Sequence, residues 1–285
     1  MTKKFILNAD DFGLSKALNR AVLEGYQACF LKSASIVANG EAFDEAVNAI
    51  LPQCPDLGVG VHLNLLVGKS LCSDLTTLTN EDQDFNNSYL SLLIKSYNPK
   101  EVEFFEQVER EFRRQIEKVM SKTAVSHIDS HLHIHSIPRI FDMVCRLAKE
   151  YGIKQVRTHF EKPYIIPDVN KHLTWKYFKN VLKTIGLGFL TVFNEATVHK
   201  YELKTNDYLL GILYSEMMEA IAVSYGVKAI KYDNVVLEGI IHPCRYDDGT
   251  INSHFDEFLL TKNKKLKDKI GSLGFEITNY VEKEA

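Results

Sequence analysis

Two aspartates stand side by side in "NADDFGLS" (Asn8–Ser15), and four histidines crowd "HIDSHLHIH" (His127–His135). Adjacent carboxylates repel one another unless a cation lies between or beside them, and closely spaced imidazoles are ready metal ligands or acid/base groups. His62 in "GVGVHLNL" and His242 in "GIIHPCRYDD" add imidazoles from distant parts of the chain. Carboxylates and imidazoles gathered in this way point to a metal site with acid/base chemistry. On an extended backbone Asp129, His131, His133 and His135 share one side; on a helix His131 and His135 do. One ion cannot take all of them, so some must orient ligands or hold substrate. Arg157 is suited to fixing a carboxylate or binding substrate. Cys244 is a rival nucleophile or soft ligand, but no base can be assigned to it. His172 and His199 receive no role.

These residues fall at the ends of apolar runs that read as strands. "KFILNAD" is the first strand, followed by a helix over 16–30 with Ser15 as its N-cap. "SASIVAN" (33–39) is the second, followed by a helix over 41–51, and "DLGVGVHLNL" (56–65) is the third. A charged amphipathic helix over 101–120, the strand "SHID" (126–129), a helix opened by Pro138 and the strand "KQVR" (154–157) follow. The pattern is least legible over 158–232, where one helix is expected at 208–225. "NVVLEGIIH" (234–242) is a late buried strand, and a C-terminal helix with "FEITNYV" ends the series. Residues 67–100 are polar and rich in turns, and read as a surface insertion near the site.

Strands alternating with helices predict an α/β fold with parallel strands, and the preferred architecture is a single β/α barrel, TIM-like or an incomplete version of one, over residues 1–285. In such a barrel the strand C-termini share one face. Asp10, Asp11, His62, Asn64, Asp129, Arg157 and His242 would therefore converge there. A regular strand would send Asp10 and Asp11 to opposite sides; Gly13 suggests a tight turn that lets both face the mouth.

Composition narrows the class. The net charge of -3 gives no general footprint for nucleic acid. The five scattered cysteines form no C-x-x-C pair, which argues for a reducing cytoplasm rather than a disulfide framework. No signal peptide or uncharged membrane-spanning run is seen, so a soluble protein with no membrane partner is expected. "DFG" alone does not make a kinase, because it lies in the first strand with no glycine-rich loop before it.

"NADDFGLS", "GVHLNL", "HIDSHLHIH" and the late His242-Pro243 together resemble the YdjC-like carbohydrate deacetylases, the family that includes chitooligosaccharide deacetylase. The resemblance implies a barrel-like β/α fold and hydrolysis of an N-acetyl group from an amino sugar or short oligosaccharide. It also implies one divalent ion, magnesium by similarity with zinc or another ion left open, bound by Asp11, His62 and His131. On that reading Asp10 takes a proton from water and His242 gives one to the leaving amine. Asn64, Asp129, His133 and Arg157 would hold substrate or orient groups around the site. Leu132 and Cys244 depart from the family's usual residues and bear on substrate identity. The expected partner is a small carbohydrate; a homodimer is admitted by the sequence but not fixed by it. Two other readings stand beside this one: a metallohydrolase of the amidohydrolase type, and a carbohydrate-binding protein without catalysis.

Overall fold

A computed structural model describes residues 2–281. Among them seven strands, all paired in parallel, make one sheet: β1 (Lys3–Phe12), β2 (Ser33–Ile36), β3 (Gly58–Leu63), β4 (His127–Ser130), β5 (Tyr208–Leu210), β6 (Val235–Ile241) and β7 (Phe275–Thr278). The order is β4-β3-β2-β1-β6-β5, and β7 also pairs with β1. Since β6 takes one edge of β1 along Lys3 to Ala9, β7 and β2 share the other edge, β7 beside Lys3 to Ile6 and β2 beside Asn8 to Phe12. The sheet curls into a half-barrel. Past β4 pairing continues only as isolated bridges, Ile128 with Val156 and Gln155 with Lys204. The expected strand "KQVR" is therefore a short stretch of chain lying along β4, and an eight-stranded barrel does not form.

Parallel sheets of this kind are covered by helices. They are α1 (Lys16–Gln27), α2 (Phe43–Glu45), α3 (Tyr89–Tyr97), α4 (Val102–Met120), α5 (Pro138–Glu150), α6 (Val169–His172), α7 (Trp175–Lys200), α8 (Ala220–Ala229), α9 (Ser253–Thr261) and α10 (Lys264–Ser272). Ser15 caps α1 as its sequence position requires, its hydroxyl accepting from the Leu18 N–H at 3.3 Å. The expected helix over 41–51 is broken: α2 passes into a π-turn at Ala46–Ile50 and a tight turn at Leu51–Gln53, where Pro52 has no N–H to continue it. The expected helix over 208–225 is corrected to strand β5, an irregular turn and α8. Helix α7 was not anticipated.

Residues 67–100 are less peripheral than their polarity suggests. Leu75, Leu78, Phe85 and Leu92 are buried, and the Glu111 carboxylate on α4 accepts the backbone N–H groups of Leu71 at 3.1 Å and Cys72 at 2.9 Å. The segment is thus clamped onto α4. Its Tyr89 hydroxyl reaches Ser136, just past the histidine cluster, at 2.8 Å.

Candidate metal centre and active site

A one-residue bulge in β1 brings the two aspartates together. Ala9 pairs with Ala34 and Phe12 with Ile36, so Asp10 and Asp11 both stand opposite Ser35. Asp11 takes up the extra residue in a left-handed conformation, φ 65°, a strain that persists only because its surroundings hold it. Gly13, at φ 83°, then turns the chain, and its N–H is fixed by the Asn19 side chain at 2.9 Å. A bulge inside the strand, followed by the turn that Gly13 signals, solves the problem of two neighbouring carboxylates.

Asp11 meets two histidines. Its Oδ1 lies 2.8 Å from His131 Nδ1 and 3.2 Å from His62 Nε2. An ion bonded at about 2.1 Å to each of three ligands at right angles would hold them about 3 Å apart, so these spacings fit one divalent cation. The donor set, one carboxylate oxygen and two imidazole nitrogens, fits as well. Burial opposes the Asp11 charge, but the His131 and His62 imidazoles hold its carboxyl well below the usual range. Burial likewise opposes charge on His62, yet the Asp129 and Asp11 carboxylates push it up to about 10. A cation bound here would displace that proton. His62 Nδ1 bonds Asp129 Oδ1 at 2.8 Å, which aims Nε2 at Asp11 in the carboxylate–histidine–metal pattern. The His131 side chain is 15% exposed and marks the open side of the centre.

Beneath this cluster the curled sheet encloses a buried polar network. Inward positions recur with the strand period of two: Asn8 and Asp10 on β1, Ser35 on β2, Gly60 and His62 on β3, His127 and Asp129 on β4. Arg157 is wholly buried and reaches three carboxylates. It bonds both oxygens of Asp10 at 2.7 Å, Asp129 at 2.6 Å and Glu238 at 2.7 Å. Burial opposes charge on Asp129, and Arg157 and His62 hold its carboxyl well below the usual range. Glu238 is raised instead, by burial, and its other oxygen accepts the Tyr280 hydroxyl at 2.5 Å. Burial pushes His127 down to about 4; this neutral ring lies 3.0 Å from the Ser35 hydroxyl and packs on Tyr280. Because Arg157 occupies the space between these carboxylates, the inner acidic cluster already has its cation. A carboxylate-bridged pair of ions there would have to displace the guanidinium.

His242 follows β6 at the mouth. Its backbone N–H donates to Glu257 at 2.5 Å, and its Nδ1 lies 3.6 Å from the same carboxylate. Burial acts to lower it, but with 31% of the side chain exposed the Glu257 carboxylate prevails and raises it to about 9.

Two expected site residues lie elsewhere. Asn64 is spent on its own loop: its amide donates to Asn39 at 2.9 Å and to the Val67 carbonyl at 2.7 Å, and its oxygen accepts from Leu66 at 2.9 Å. His133 is turned away from the ion cluster. Leu132 and His133 are both left-handed, φ 47° and 61°, a kink that leaves His131 at the mouth and buries His133 against His159, ring centroids 4.9 Å apart. Ser35, Glu238 and Tyr280 were missed. Of these only Glu238, a charge inside the apolar run "NVVLEGIIH", carried a signal in the sequence.

A family profile described as YdjC-like protein matches residues 4–270. The chain belongs to the YdjC-like family. The match runs from β1 into α10 and so takes in every residue of the centre except Tyr280. Among curated relatives, a carbohydrate deacetylase of Clostridium beijerinckii is 38% identical over 151 residues, 53% of this chain and 58% of that protein. A carbohydrate deacetylase of Listeria welshimeri is 34% identical over 206 residues, 72% of this chain and 78% of its own. A solved structure from Enterococcus faecalis, titled a putative cellobiose-phosphate cleavage protein, superposes with a TM-score of 0.75 at 20% identity over 98% of both chains. At that identity the likeness supports the fold alone.

Proposed function

We propose that this YdjC-like chain is a metal-dependent carbohydrate N-deacetylase that hydrolyses an acetamide on an amino sugar or short, chitooligosaccharide-like saccharide. The observation that carries this is the meeting of Asp11, His62 and His131 beside an aspartate, Asp10, held in a fixed plane by Arg157. Asp11, His62 and His131 would hold a divalent ion, which when bound would supply Lewis acidity to the amide carbonyl and make water easier to deprotonate. Asp10 accepts the proton of the attacking water, its orientation set by the Arg157 fork and by the Asn8 amide at 2.7 Å. His242, held protonated by Glu257, gives a proton to the departing nitrogen as the C–N bond breaks, so acetate and a free amine leave. Family resemblance favours magnesium, whereas the two imidazoles suit zinc or another transition ion. Metal analysis of the purified protein separates these.

The test is mass spectrometry of N-acetylated mono- and oligosaccharides incubated with metal-loaded enzyme. Loss of one acetyl mass is expected, and Asp10→Asn should abolish it while ion binding persists. No loss from any saccharide overturns the proposal. A carbohydrate-binding protein without catalysis would leave every saccharide intact and keep its affinity for them in Asp10→Asn.

A further inference from the structure

The segment after β7 closes the floor of the half-barrel, the end opposite the mouth. The Asn279 amide donates to the Asp56 carbonyl at 3.0 Å, and Asn279 passes so close to Gly58 that a Cβ there would come within 2.9 Å of it. A glycine at the start of β3 therefore lets the segment lie across the sheet. The next residue, Tyr280, is inserted beneath the polar network and is 6% exposed. Its ring lies 4.4 Å from that of His127, and its hydroxyl is 2.5 Å from Glu238 Oε2. Burial and the Glu238 carboxylate push the phenol well above its usual value, so the hydroxyl keeps its proton and donates it in this bond. The family match stops at residue 270, before β7 and Tyr280.

Glu238 spends its two oxygens in different directions. Oε1 accepts from Arg157 Nε at 3.0 Å and from Nη2 at 2.7 Å, while Oε2 is taken by Tyr280. The other edge of the guanidinium, Nη1 and Nη2, is left to both oxygens of Asp10, each at 2.7 Å. Either edge of a guanidinium can take a carboxylate bidentately. Asp10 has one edge in that form, whereas Glu238 offers the other a single oxygen because the hydroxyl claims its second. Tyr280, Glu238, Arg157 and Asp10 are each at most 6% exposed, so solvent does not stand in for a lost donor. Without the hydroxyl, Oε2 would be a buried acceptor with nothing to meet it, and Glu238 would turn that oxygen to Arg157. The guanidinium would pivot to receive it and carry the plane of Asp10 with it.

Resting on Asp10 as the base of the deacetylation above, we propose that Tyr280 is a positioning residue: its hydroxyl, acting through Glu238 and Arg157, sets the orientation of the Asp10 carboxylate from the floor of the half-barrel. The test is Tyr280→Phe, which keeps the ring on His127 and removes only the hydroxyl. With circular dichroism and ion affinity unchanged, kcat should fall by about tenfold at nearly constant KM, less than the roughly 100-fold that an ångström of misplacement can cost. In a Glu238→Gln background the same substitution should lower kcat by less than about twofold, because the carboxylate through which it acts is gone. Wild-type kcat in Tyr280→Phe overturns the proposal, and an equal loss in both backgrounds overturns the route through Glu238. A crystal structure of Tyr280→Phe reads the linkage without turnover: Glu238 Oε2 should turn to Arg157 and the Asp10 carboxylate should rotate, and an Asp10 that superposes on the wild type overturns the proposal. A wild type that deacetylates no saccharide refutes the functional reading instead, and that crystal structure still decides whether Tyr280 holds Asp10.

Discussion

Replacing Arg157 by lysine preserves the buried positive charge and removes the fork. The guanidinium makes two parallel bonds to Asp10 at 2.7 Å and further bonds to Asp129 and Glu238. A single ammonium cannot span three carboxylates on different strands, so about two charge-assisted bonds are lost, each contributing about 1.5–3 kcal/mol, with partial recovery as lysine finds one partner. A net loss of about 3 kcal/mol follows, which at roughly 2–4 °C per kcal/mol for a chain of this size lowers Tm by about 6–12 °C. The catalytic effect is separate: with Asp10 free to rotate, kcat should fall by about 100-fold while KM changes little, because a misplaced base affects the transition state rather than binding. Differential scanning calorimetry and steady-state kinetics on the saccharide found by mass spectrometry read the two effects. A lysine variant with wild-type kcat would show that the fork does not position Asp10, even if Tm fell as expected.

Three other perturbations follow from the geometry. Asp129→Asn removes the carboxylate that aims His62 at the ion, and metal affinity measured by calorimetric titration should drop about 10–100-fold; an unchanged affinity counts against that pairing. With His242, raised to about 9, as the proposed acid, kcat/KM should decline as pH rises through about 9; in Glu257→Gln that alkaline limb should move down toward 6.5, and an unmoved limb excludes His242 as the acid. The same raised value stabilises the fold fully below pH 6.5, and the contribution fades as pH rises through about 9, so alkaline melting should be flatter in Glu257→Gln than in the wild type. Gly60→Ala would put a Cβ 2.3 Å from His127 Nε2, an overpacking that should cost about 1–3 kcal/mol in a denaturant melt; Gly60→Ala with His127→Ala should recover part of the loss.

The strand ends were legible because the strand period and the position of polar residues at the close of apolar runs are local properties. Asp11, His62 and His131 could be placed together before any coordinates, and Arg157 could be aimed at a carboxylate beside them. Asn64 and His133 misled because a side chain near a site can serve its own loop or be turned aside by two left-handed residues, and neither event leaves a trace in residue type. Ser35 and Tyr280 were hidden for a different reason: they matter only through what other strands bring to them. Helix α7 was unreadable because pattern recognition assumes that the apolar face is the buried one, and here the faces are exchanged, with Asn180, Thr184 and Asn194 on the buried side. The chain over 154–157 looks like a strand and sits beside one, yet it forms bridges rather than a ladder.

The circuit that runs from Asn8 through Ser35, Asp129, Arg157 and Glu238 to Tyr280 has a consequence for how the protein is made. Its first and last members are separated by some 270 residues, which are added at roughly 5–20 residues each second. Until Tyr280 arrives, Glu238 lacks a hydroxyl to meet its second oxygen and His127 lacks the ring against which it rests. A nascent chain therefore cannot tighten its interior early, and hydrolytic competence should emerge late, as synthesis reaches the far end of the circuit.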